Sequence, residues 1–98
     1  MSAGKLHFAL VELRVPKTAV FLYGVLESLA GSKRECLPTH AELAQKLHLR
    51  SRRQIVNVLS LLRRLKLVDW ERGRDANCYR VFKPDFEHVA DVMRRERP

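Results

Sequence analysis

Residues 39–83 constrain the fold most, because they switch from a helical period to a strand period. From Ser51 to Lys66 the apolar residues Ile55, Val58, Leu59, Leu62 and Leu65 recur at i, i+3, i+4, i+7 and i+10. That spacing places them on one face of a helix. Ahead of it, Thr39-His40-Ala41-Glu42 reads as a capping box, with Thr39 as N-cap and Glu42 reaching back. Leu43, Ala44 and Leu47 then give a short helix its inner face, His48-Leu49-Arg50 makes a turn, and Ser51 is the N-cap of the next helix. After the long helix, Leu67–Glu71 and Cys78–Lys83 read as strands joined by Gly73-Arg74-Asp75-Ala76-Asn77. The expected order is therefore helix, tight turn, helix, two-stranded hairpin.

Charge singles out the long helix. The chain carries a formal net charge of +8. Arg50, Arg52, Arg53, Arg63, Arg64 and Lys66 supply six of those charges, with no acidic residue between Arg50 and Lys66. The face opposite the apolar stripe carries Arg53, Asn57, Ser60 and Arg64, with Arg52, Val56 and Arg63 on one flank and Gln54 on the other. Positive charge this concentrated on one amphipathic helix points to a polyanion, above all duplex DNA.

At 98 residues the chain has room for one small domain. A hydrophobic fraction of 46% supports a core, and the 31% of charged residues are mixed in sign, so disorder is not implied. No apolar run approaches the roughly 18 residues that span a bilayer. The opening Met1-Ser2-Ala3-Gly4-Lys5 lacks the hydrophobic region of a secretory signal, so a cytoplasmic location is expected. Cys36 and Cys78 form no Cys-x-x-Cys, and His7, His40, His48 and His88 are scattered. Neither a metal site nor a cofactor is expected, and the cysteines read as reduced packing residues. No nucleophile–base pair or phosphate-cradling Gly-rich loop appears, so an enzyme is not expected.

The rest of the chain divides simply. Residues 1–5 read as a loose tail, and Leu6–Val15 as a strand or extended arm. Pro16 opens a helix over 17–30, with Val20, Phe21, Leu22, Val25, Leu26 and Leu29 on a broad buried face and Gly31 as its C-terminal cap. Gly24 within that helix costs about 1 kcal/mol against Ala and permits a close approach by another helix. Cys36-Leu37 is a candidate for a very short strand. Pro84 ends the last strand, and Asp85 caps a final helix reaching about Arg95, with the apolar stripe Phe86, Val89, Ala90 and Met93. The expected division is an arm at 1–15, a domain at 16–83 and a C-terminal helix at 84–98.

The texts Leu37-Pro38-Thr39-His40-Ala41-Glu42-Leu43-Ala44-Gln45-Lys46-Leu47, Leu49-Arg50-Ser51-Arg52-Arg53-Gln54-Ile55 and Leu62-Arg63-Arg64-Leu65-Lys66-Leu67-Val68 resemble the winged helix-turn-helix family. The wing closes with Gly73-Arg74 and Asn77-Cys78-Tyr79-Arg80-Val81. The resemblance covers residues 17–83. It is nearest to small bacterial or plasmid-borne transcription regulators and to the helix-turn-helix domains of plasmid and phage replication initiators. It implies an α+β fold with a three-helix core and a β-hairpin wing, to which the N-terminal extended segment and the C-terminal helix are added. His48 and Lys66 stand where such families usually carry Gly, which calls for positive φ at His48.

The resemblance also implies roles. The helix 51–66 enters the major groove, with Arg53, Asn57 and Ser60 facing base edges, Val56 near a thymine methyl and Gln54 a further DNA-binding residue on the flank. Ser51, Arg52, Arg63 and Arg64 hold phosphates. Arg72 and Arg74 of the wing reach a minor groove or backbone. Lys17, Thr18 and Thr39 add contacts at helix starts. The stripe Phe86, Val89, Ala90 and Met93 needs burial, either against the first helix or against a second chain, and the 6–15 segment is the other dimer candidate. A symmetric homodimer reading an inverted repeat is favoured over a compact monomer. The leading function is a sequence-specific DNA-binding repressor with no small-molecule effector. The alternatives are a replication or partition accessory protein and a winged-helix protein–protein module; RNA binding lacks a stacking platform.

Overall fold

The computed structural model describes residues 2–49, 51–74 and 76–96, with backbone alone for 2–6. Arg50 of the expected turn and Asp75 of the hairpin loop lie outside the described residues. The chain is an α+β fold: α1 (Ser2–Glu12), α2 (Lys17–Ala30), β1 (Glu35–Cys36), α3 (His40–Lys46), α4 (Arg52–Arg64), β2 (Val68–Glu71), β3 (Cys78–Val81) and α5 (Phe86–Arg95). The three strands form one antiparallel sheet in the order β1-β3-β2. Cys36 pairs with Tyr79, and Trp70 pairs with Tyr79 from the other side.

The capping signals in the sequence act as written. Thr39 accepts the Glu42 N–H at 3.1 Å, while Glu42 receives the Thr39 N–H. Ser51 accepts the Arg53 N–H, and Asp85 accepts the His88 N–H. Gly31 closes α2 at φ 58°. Three other helices end on non-glycine residues in left-handed conformation: Arg14 at φ 68°, His48 at 55° and Lys66 at 57°. Each end carries the same pair of hydrogen bonds. In α1 the Arg14 N–H donates to Val11 O and Val15 N–H to Leu10 O; in α3 His48 donates to Gln45 O and Leu49 to Ala44 O. In α4 Lys66 donates to Arg63 O and Leu67 to Leu62 O. This is the Schellman arrangement, in which an apolar residue after the left-handed one tucks back on the helix. Val15 and Leu67 are buried accordingly.

The first fifteen residues correct the sequence reading. An N-terminal tail and a strand or arm over 6–15 were expected, and α1 takes their place from Ser2. The run is apolar at so many positions that alternation and helical period are both satisfied, so pattern alone does not decide. Packing decides: Leu10 and Val15 enter the core, and His7 lies over Gly24, where a Cβ would sit 3.1 Å from the His7 ring. His7 Nε2 also meets Glu27 Oε1 at 2.7 Å.

The core joins Leu22, Tyr23 and Leu26 of α2 to Leu43, Ile55, Leu59 and Leu62 of α3 and α4 and to Tyr79 and Val81 of β3. Tyr23 donates its hydroxyl hydrogen bond to the Phe82 carbonyl, which ties α2 to the end of the sheet. Burial pushes the Tyr23 phenol up to about 12, with Glu27 adding to the rise. Two residues assigned to the buried face of α2 lie outside it: Phe21 is 57% exposed and Leu29 is 43% exposed. The face that α2 shows to α4 and the sheet is narrower than the run of apolar residues along it.

Candidate nucleic-acid interface

Helix α4 owes its position to its apolar stripe. Ile55, Leu59 and Leu62 are buried, so the rotation of about 100° per residue turns Arg52, Arg53, Gln54, Val56 and Asn57 outward. All five are exposed and Ser60 is half-buried. Among the described residues, neither Arg52 nor Arg53 has an acidic partner. The first turns of α4 thus present two unpaired guanidinium groups, two amides and a small apolar side chain to the outside.

Three elements meet beside it. Pro38, Thr39, His40 and Ala41 from the start of α3, Arg52 from α4, and Ala76 and Asn77 from the hairpin line a cleft of about 320 Å³. Thr39 and Arg52, both singled out from the sequence, are brought together there. His40 and Asn77 are additions that the sequence reading treated as a helix-end residue and a turn residue. No local signal marks them, because the cleft exists only once the hairpin has folded back toward the start of α3. Asn77 is held by its amide, which donates to the Tyr79 hydroxyl at 3.3 Å.

The late arginines of α4 are differently placed. Arg63 pairs with Asp69 at 2.8 Å, donates to the Trp70 carbonyl at 3.0 Å and lies 3.9 Å over the Trp70 ring centre. The Arg63 hydrogen bond, helped by the Trp70 N–H, holds the Asp69 carboxyl below the usual carboxylate range. Arg64 pairs with Glu96 at 2.7 Å. The sequence reading gave both arginines to phosphates; in the folded chain each also has an acidic partner and stays about half exposed. Arg80 is likewise flanked by Glu71 at 3.3 Å and Glu35 at 3.9 Å. The beginning of α4 thus keeps two guanidinium groups without an acidic partner among the described residues, and Arg72 and Arg74 are exposed on the hairpin after β2. Lys17 and Thr18 are exposed at the start of α2, but Lys17 borders a groove between α1 and α2 and is not among the residues lining the α3–α4 cleft.

The C-terminal stripe closes on its own chain. Val89 is fully buried in the core, and Phe86 and Met93 pack against it. His88 Nε2 meets the Arg64 carbonyl at 2.9 Å, a partner the sequence did not reveal. Ala90 and Met93 line a small groove with Glu12 and Leu13 of α1. The two terminal segments offered as dimer elements therefore meet each other, and Val89 is not available to a second chain. An amphipathic helix of ten residues is marginal alone, and the nearest apolar surface is its own domain.

Among the described residues no group of three or more His, Cys, Asp or Glu could hold a metal ion. Cys36 and Cys78 are free thiols. Burial pushes the Cys36 thiol up to about 11, with the nearby Cys78 adding to the rise, and its Sγ faces the Leu26 carbonyl at 3.8 Å. Among the described residues no helix is long and apolar enough to cross a membrane. Comparison with protein-family models, with curated proteins and with solved structures gave no match for this chain.

Proposed function

We propose that this chain is a sequence-specific double-stranded DNA-binding transcriptional regulator, a repressor that works by occupying promoter DNA as a homodimer. The architecture fits a winged helix-turn-helix: α3 and α4 form the helix pair, and β2 and β3 form the wing. In this reading α4 enters the major groove. Arg53 pairs with guanine, Asn57 with adenine, and Gln54, Val56 and Ser60 complete the base-facing surface. Arg52 and the start of α3 at Thr39 hold the phosphate backbone, and Arg72 and Arg74 follow it along the hairpin.

One observation carries the reading. Arg52, Arg53 and Asn57 are exposed on the first turns of a helix, the two arginines have no acidic partner among the described residues, and Arg52 opens onto the cleft shared with α3 and the hairpin. Unpaired guanidinium groups beside a basic hairpin are matched to phosphate and base edges. Arg63 and Arg64 are left out of the contact set because they are engaged within the chain.

The test is selection of binding sites from a random duplex pool at moderate salt, followed by sequencing of the survivors. An enriched inverted repeat, with half-sites about 10 base pairs apart or a multiple of that, is the expected result. Retention without enrichment, or binding insensitive to salt, would refute sequence-specific duplex recognition, since phosphate contacts release counterions and weaken steeply as salt rises.

A further inference from the structure

We propose that the outward face of α1 and α2 is where a second copy of this chain docks, α2 against α2 across a twofold axis. This rests on the dimer in the functional reading above and names its surface. Seven large hydrophobic side chains stand exposed among the described residues, and four of them belong to this one face: Phe8 at 64%, Val11 at 37%, Phe21 at 57% and Leu29 at 43%. The C-terminal stripe offers less: Val89 is buried in the chain's own core, and Phe86, Ala90 and Met93 are half-buried.

The shape of the face argues for a copy of itself as the occupant. Phe21, Val25 and Leu29 recur every fourth residue and form a ridge along α2. The ridge is flanked by two grooves. The one toward α1 is about 440 Å³, lined by His7, Val11, Phe21 and Gly24 among others. The one toward α3 is about 260 Å³ and ends at Lys46. Gly24 presents no side chain, which keeps the first groove deep and lets His7 bring α1 close to α2. A ridge beside a groove on one surface is self-complementary: across a twofold, the ridge of each copy fills the groove of the other.

Area and charge agree. An aromatic side chain presents about 150–250 Å² when fully exposed, so Phe8 and Phe21 together offer about 250 Å². Val11 and Leu29 raise the apolar total to about 400 Å² per copy, half of the roughly 800 Å² each partner gives in a stable interface. Half-buried Val25 and Gly24, Ser28 and the stems of the rim lysines supply the remainder. Phe21, Gly24, Val25, Ser28 and Leu29 are all uncharged, whereas the whole chain carries +8. The middle of the face therefore adds no charge repulsion between two copies, and Lys17 and Lys46 stand at its borders. It also lies on the side of α2 turned away from the residues that pack against α4 and the sheet, so docking there leaves Arg53 and Asn57 open.

Sedimentation velocity of the full chain without DNA tests the idea. The wild type is expected as a dimer at about 100 μM, and Phe21→Glu should raise the dimer dissociation constant at least about thirtyfold, the effect of losing one central aromatic anchor. Phe8→Glu, at an exposed position, provides a second variant whose fold is not at issue, and Leu37→Glu, 65% exposed and off this face, should leave the mass unchanged. A monomeric wild type would overturn both the dimer and its surface. A wild-type dimer that survives both Phe21→Glu and Phe8→Glu would overturn the surface alone. Concentration-dependent amide shifts confined to α1 and α2 are expected in the wild type, and shifts confined to α5 would overturn the assignment. None of these outcomes depends on DNA binding, which the duplex selection tests separately.

Discussion

Arg63→Ala separates an arginine that builds the site from one that touches DNA. Arg63 makes three contacts: an ion pair with Asp69, a hydrogen bond to the Trp70 carbonyl, and a stack on the Trp70 ring. Both partners of the ion pair are about half exposed, at 48% and 56%, so its share belongs at the low end of 0.2–1 kcal/mol, about 0.3 kcal/mol. The cation–π contact adds about 0.5–1 kcal/mol at an exposed site. The hydrogen bond adds about 0.5–1.5 kcal/mol. One side chain serves all three and such terms do not add fully, so the expected cost is roughly 1–2 kcal/mol. With a urea dependence of about 1–3 kcal/mol/M, the unfolding midpoint should fall by about 0.5–1 M. Circular dichroism is the appropriate probe, since Trp70 fluorescence changes when its stacked partner leaves. The cost should shrink in acid: the Asp69 carboxyl is held low in the folded chain, so its contribution is present above the ordinary carboxylate value and lost as pH falls through the folded one. The salt slope of duplex binding should stay the same. A stability unchanged within about 0.3 kcal/mol, together with a slope reduced by about 1, would show that Arg63 is a phosphate contact and refute the intrachain assignment.

Three further outcomes follow. Arg53→Ala with Asn57→Ala should abolish discrimination between selected and random duplexes, each lost base contact costing about 1–3 kcal/mol, while thermal unfolding is unchanged; operator affinity that survives would sink the recognition role of α4. His48→Gly, and separately Lys66→Gly, should stabilise the chain by about 0.5–1 kcal/mol, because each relieves a left-handed conformation at the price of some unfolded-state entropy; a melting temperature that falls would contradict it. Tyr23 has its folded value raised to about 12 against 10.0 ordinarily, so the neutral phenol stabilises the fold fully below pH 10 and that stability is lost as pH rises toward 12. Tyr23→Phe should unfold less steeply in alkali yet be less stable at neutral pH by about 1 kcal/mol, since the Phe82 carbonyl loses its donor; a variant with the wild-type alkaline profile would refute the assignment.

Helix α4, the capping box at Thr39, the caps at Ser51 and Asp85 and the hairpin at β2 and β3 were legible because their signals are local. A side-chain oxygen reaches an N–H two or three residues away, and a period of 3.6 or 2 is written into each segment whatever surrounds it. The left-handed ends were half legible. His48 and Lys66 sit where a glycine would be at ease, and the apolar Leu49 and Leu67 that follow them mark the tuck, but Arg14 was hidden within a segment read as extended.

What only the tertiary structure decided concerns partners far apart in the chain. Residues 6–15 satisfy both periods, and it took Gly24 and Glu27 of α2 to choose the helix. The stripe of α5 needed a cover, and its own core provided one at Val89, with the Arg64 carbonyl fixing His88. Arg63 and Arg64 look like Arg52 and Arg53 in the sequence, since all four are basic residues on one helix. Their difference comes from Asp69, Trp70 and Glu96, which the hairpin and α5 bring within hydrogen-bond reach of the end of α4 and of nothing near its start. The sequence by itself determined which helix is basic and how it is capped, because charge and capping are properties of adjacent residues. Which of those charges remain unpaired is set by long-range packing, because an ion pair depends on distance in space and not on separation along the chain.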